Sequence, residues 1–181
     1  MAEQTMRGVR RVVTEEDAAG RARIVADGQP AVITVPERPG YNVSNVWVTG
    51  DTPAPIAAAD AVAAHKGVLP PPRGTVLRVI DYPPEASDPA ERRRQLAATF
   101  GTLYPDAEHR IDDKHPGMHR TETVDYAIVL EGEIVAMLDD SETVLRAGDI
   151  LIQRGTNHAW ANRSGKPARI CFVLIDGRRS S

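Results

Sequence analysis

The chain has 181 residues, with 22 Lys and Arg against 25 Asp and Glu for a formal net charge of −3, five His, one Cys and only two Trp, four Tyr and two Phe. At roughly 150 residues per domain it is one domain, long enough to bury roughly 70% of its unfolded surface around an internal pocket. The near-neutral charge argues against a polyanion binder, whose affinity comes from many Lys and Arg contacts to phosphate, and the single Cys171 excludes an intrachain disulfide and a thiolate cluster.

The N-terminal residues have no apolar stretch of the signal-peptide kind, and no run of about 18 consecutive apolar residues occurs anywhere. The expectation is an intracellular, cytoplasmic protein without nucleic-acid or membrane partners. Cys171 lies in the apolar run from Ile170 to Ile175 and reads as a small buried hydrophobe.

In chain order, short apolar runs bounded by Gly, Pro, Asn and Asp predict strands over 8–13, 22–26, 31–35, 43–48 and 75–82. Between them a looser Ala- and Pro-rich stretch, 51–73, carries at most one helical turn at 60–66. The one convincing helix starts at Asp88-Pro89-Ala90-Glu91. There Asp88 caps free N–H groups and Pro89 suits the first turn, while Leu96, Phe100 and Leu103 follow on one face. It reads as a helix packed outside a sheet, with a lid over a pocket as the alternative. From Thr123 onward strands are predicted over 124–130, 134–138, 143–145, 150–153, 159–162 and 168–175. This is the rhythm of a sandwich or barrel. The division expected is an arm of strands and loop over 1–74 packing on a β-barrel over 75–181, with a helical insertion at about 88–104.

Two segments concentrate chemistry. One is His119-Arg120-Thr121-Glu122-Thr123-Val124-Asp125, with Gly132 beyond it. The other is Gly148-Asp149 followed by Gln153-Arg154-Gly155-Thr156-Asn157-His158 and then Asn162. Side chains alternate faces along a strand, so His119, Thr121 and Asp125 point one way if no bulge intervenes, and His158, Trp160 and Asn162 share another wall. Two histidines on strand faces are by themselves more often structural than ligating. The joint spacing with Gly132, Gly148 and Asn162 lifts the functional reading.

These segments resemble the paired motifs of the cupin superfamily. Thr121 stands where that family usually has a second His, Asp125 where it has Glu, and Gln153 where it has Pro. Arg10-Arg11-Val12-Val13, Val46-Trp47 and the run from Gln153 to Trp160 are similar to a branch of single-domain cupins, some from polyketide-type biosynthetic clusters. The resemblance implies an all-β jelly-roll barrel with one peripheral helix. It also implies a divalent metal held by His119, Asp125 and His158; Glu122 is the alternative carboxylate if a bulge near Thr121 re-aims the strand. Two His and one carboxylate favour Fe(II) and also suit Zn(II), Mn(II) or Ni(II).

The function expected is that of a metal-dependent enzyme on a small organic substrate, polyketide-type or aromatic. An oxidoreductase or oxygenase leads, a redox-neutral decarboxylase, dehydratase or isomerase is the alternative, and a non-catalytic ligand-binding protein is the second alternative. Asp125 or Glu122, if unligated, serves as general acid–base. Thr121, Gln153, Trp160 and Arg154 are the expected substrate contacts, with Trp160 as a flat apolar wall. His65, His109 and His115 read as loop histidines. Uncovered N-terminal strand edges suggest a homodimer.

Overall fold

Alternation of apolar and polar residues builds two antiparallel sheets that face each other across the core. The computed structural model describes residues 6–109 and 114–179, so the first five residues, part of the N-terminal stretch read above for a leader, lie outside it. The strands are β1 (Arg11–Glu16), β2 (Ala22–Gly28), β3 (Ile33–Thr34), β4 (Asn42–Thr49), β5 (Thr75–Tyr82), β6 (Glu108–His109) and β7 (His119–Arg120). They continue as β8 (Thr123–Glu131), β9 (Glu133–Leu138), β10 (Glu142–Arg146), β11 (Ile150–Arg154), β12 (His158–Ala161) and β13 (Ala168–Asp176). The helix α1 (Pro89–Leu103) separates β5 from β6, and Val62–Ala64 forms a single 3₁₀ turn.

The larger sheet has the order β11-β8-β13-β5-β4-β3 and the smaller β10-β9-β12-β7-β6. This is the expected all-β jelly roll with one helix. Period-2 patterning decides which side chains enter it: Thr123, Asp125, Ala127 and Val129 on β8, and Ala168, Ile170, Phe172 and Leu174 on β13, are buried while their neighbours are not. Cys171 falls on the outward register and is half-buried, not a core residue.

The stretch before residue 75 has two fates. β3 and β4 belong to the larger sheet, with β4 paired to β5 over its length. β1 and β2 form a separate ribbon that leaves Val12, Ile24 and Val25 exposed. Among the described residues no helix is long and apolar enough to cross a membrane.

Helix α1 starts as its sequence dictates. The Asp88 carboxylate accepts from the Glu91 N–H at 2.9 Å, and Pro89 occupies the first turn. Its buried face, Leu96, Thr99 and Phe100, closes one side of the space between the sheets, so the helix is a wall of the cavity and not packing on a sheet's outer face.

Candidate active site

The cavity lies between the two sheets and opens to solvent, with about 620 Å³ of space free of atoms, its open mouth included. The smaller sheet contributes His119, His158 and Trp160; the larger contributes Arg78, Tyr82, Asp125 and Phe172; Arg38, Tyr41 and Tyr104 come from loops and Phe100 from α1.

His119 and His158 are direct cross-strand partners on β7 and β12, which sets their rings side by side with centroids 4.2 Å apart. Their tautomers follow from their neighbours. His119 Nδ1 is 2.9 Å from the Gly117 carbonyl and His158 Nδ1 is 3.0 Å from the Thr156 carbonyl, so each Nδ1 carries the proton and each Nε2 keeps its lone pair. Burial pushes the His119 imidazole down to about 4. It pushes His158 well below the ordinary histidine value, with the neighbouring His119 adding to the effect. Both rings are neutral at pH 7. An imidazole whose Nδ1–H is tied to a carbonyl is held as a metal ligand is held.

Asp125 opens on the same cavity, and its Oδ1 has no hydrogen-bond partner. Burial raises its carboxyl to about 6, against smaller opposing pulls from the Thr123 hydroxyl and the Arg78 charge. The donor set therefore fits a divalent ion in part. The two imidazoles have the right form, but among the described residues no three His, Cys, Asp or Glu side chains converge closely enough to hold an ion. Asp125 shares the cavity with the histidines without closing on them.

The common outlook of His119, Thr121 and Asp125 does not arise from one pleated strand. The chain crosses from the smaller to the larger sheet between β7 and β8, and the corner turns Glu122 outward. The Glu122 side chain is 66% exposed and reaches Arg179 at 3.8 Å, so it faces away from the cavity and is not available as its carboxylate. Arg154 is also exposed and lines a surface groove with Glu122. Gln153 is buried, but its Nε2 donates to the Thr156 carbonyl at 2.9 Å and shapes the turn before His158, outside the cavity lining. Thr121 does line the cavity, with Oγ1 2.8 Å from Thr123 Oγ1, and Trp160 stands edge-on to both His158 and Phe172.

Other motif residues build rather than bind. Gly132 turns at φ 75°, and a Cβ there would meet the Pro167 carbonyl at 2.6 Å. Asn162 donates to the Tyr82 and Lys166 carbonyls and accepts from Ser164, which ties the end of β12 to the end of β5 and to the turn before β13.

Two histidines read as loop residues have defined places. His109 pairs with His119 across β6 and β7, its ring stacked on Phe100 at 3.9 Å. His115 is buried against the buried Glu85 at 2.8 Å. The Gly117 N–H donates to His115 Nδ1 at 3.1 Å, so the proton sits on Nε2 and points at the carboxylate. Hydrogen bonds thus tie Glu85 to His115, and both His115 and His119 to the backbone of Gly117, one through its N–H and the other through its carbonyl.

Comparison with known proteins gives the family. Residues 109–175 match the family model described as Cupin domain. Over 168 residues the chain is 30% identical to the oryzines biosynthesis cluster protein J of Aspergillus oryzae, covering 84% of this chain and 78% of that one. The chain belongs to the cupin family. This cupin is also 48% identical over 75 residues to the phomopsin biosynthesis cluster protein C' of Diaporthe leptostromiformis, across 38% of this chain and only 40% of the relative. It is 41% identical over 75 residues to the cupin-domain-containing oxidoreductase fogC of Aspergillus ruber, across 37% of each chain.

Proposed function

We propose that this cupin is an oxidoreductase acting on a small organic substrate of a secondary-metabolite pathway, with the reaction centred on His119, His158 and Asp125. The observation that carries the reading is the adjacent pair of neutral imidazoles, each with its Nδ1 tied to a backbone carbonyl, beside a carboxyl whose Oδ1 has no partner. The oxidoreductase class and pathway type are supported by the named relatives. His119 and His158 would hold a divalent ion, Fe(II) first among the candidates, which when bound supplies redox and Lewis-acid chemistry.

The chain's own residues supply the rest. Phe100, Trp160 and Phe172 keep water from the reacting region, and Asp125, raised to about 6, takes or returns a proton at Oδ1 near neutral pH. A second reading, redox-neutral acid–base chemistry by Asp125, is favoured by the absence of a third converging ligand among the described residues.

Metal content of the protein purified without added metal, beside His119→Ala and His158→Ala, tests the first reading. At least a tenfold loss of bound metal in each variant is expected, and wild-type stoichiometry in both overturns it. The oxidation level of the product separates the two readings, because a product at the same oxidation level as its substrate belongs to the second.

A further inference from the structure

Two arginines in the cavity have no carboxylate at ion-pair distance among the described residues, Asp125 reaching Arg78 only through its longer-range charge. Arg78 is 1% exposed and Arg38 is 5% exposed, yet neither makes an ion pair among the described residues. Arg78 gives Nη2 to His65 Nε2 and to the Gly67 carbonyl, both neutral acceptors, while its Nε is buried without any partner. Arg38 rests on rings, its Cζ 4.2 Å from the centre of Tyr41 and 6.0 Å from that of Tyr82. Ring faces steady a cation without neutralising it.

The lining offers one carboxyl, Asp125, against these two cations. The three tyrosines do not add negative charge, since burial holds Tyr41, Tyr82 and Tyr104 well above the ordinary phenol range. Nearby Asp106 spends its carboxylate on the Val68 and Leu69 N–H groups. An arginine cannot escape by losing its proton, and a buried cation without a counter-charge is costly enough that proteins rarely keep one unless something supplies the anion.

We propose that the cavity binds an organic acid, its carboxylate taken by the guanidinium groups of Arg38 and Arg78 and its apolar body laid against Phe100, Trp160 and Phe172. The proposal rests on the reading of this cavity as the substrate site and names the substrate class. A guanidinium prefers a carboxylate because its planar N–H fork matches two oxygens. The apolar walls select an organic acid over an inorganic anion.

Calorimetric titration of the full chain, as purified and again after dialysis against a chelator, with benzoate, cinnamate and phenylpropanoate, each beside its neutral amide, tests this. At least one acid is expected to bind at least tenfold tighter than its amide, with and without chelation, and Arg38→Gln and Arg78→Gln should each weaken that acid at least tenfold while leaving the amide within twofold. If Arg78→Gln fails to fold, Arg38→Gln carries the test. No acid preferred over its amide, both variants within twofold of wild type, or inorganic phosphate displacing the acid at equal concentration would each overturn the proposal. The chelated protein should bind the acid within threefold of the protein as purified. Loss of the metal reading therefore leaves the acid-binding result intact, and loss of acid binding leaves the metal measurement intact.

Discussion

The two walls of the cavity solve the same desolvation problem in opposite ways. On the smaller sheet His119 and His158 give up their charge on burial, which costs little because a neutral imidazole tied to a carbonyl is a satisfied group. On the opposite side Arg38 and Arg78 keep theirs, because guanidinium does not deprotonate in a protein, and the imbalance stays in the folded state. The first wall is finished without a ligand. The second is not, and on that difference rest the proposed chemistry of the one and the proposed recognition by the other.

Asp125 stands between the two walls, and changing it should move the comparison most. The folded state holds the Asp125 proton more tightly than the unfolded chain does, with a folded value of about 6. Burial therefore costs stability above pH about 6, and the cost is relieved as pH falls toward about 4. His119 runs the other way, because its value is lowered to about 4 and stability is lost as pH falls from about 6.5 toward that value. In metal-free protein Asp125→Asn should be more stable than wild type at pH 7.5 by on the order of 2 kcal/mol, an advantage gone by pH about 4. Urea unfolding across that range reads it, and a variant less stable at pH 7.5 would mean that the carboxylate is already paired with the arginines.

Glu85 and His115 show what a completed buried pair looks like, in contrast to the arginines. Removing the acceptor in Glu85→Ala leaves the His115 Nε2–H buried and unmatched, for an expected loss of about 1–3 kcal/mol in thermal unfolding. Glu85→Gln keeps an acceptor oxygen and should lose less than half of that. Equal losses in both variants would show that charge, not hydrogen bonding, holds the pair.

Legibility followed how local each placement is. His119 and His158 were readable because strand alternation and motif spacing set them, and Trp160 came with them by the same period. Arg78 was readable in principle, since it falls in the inward phase of Val76, Ile80 and Tyr82, where a charge is out of place. Arg38 was not, because turns between Val35 and Tyr41 set its direction and only long-range packing brings it under Tyr82. His115 misled for the same reason, its partner Glu85 being 30 residues away. Glu122 keeps the outward face that alternation from His119 and Thr121 gives it, and the bulge that would have re-aimed it toward the cavity does not occur where the chain changes sheets.

The smallest effects belong to the residues outside both walls. Glu122 and Arg154 carry opposite charges in an open groove where solvent screens them, and neither touches the cavity. Glu122→Gln and Arg154→Ala should each leave kcat/KM within twofold and stability within about 0.5 kcal/mol of wild type. A loss above tenfold in Glu122→Gln, at unchanged stability, would return the catalytic carboxylate to the β7–β8 corner. It would require that corner to turn inward on substrate binding, and the division of labour between the histidine and arginine walls would then have to include a third, mobile element.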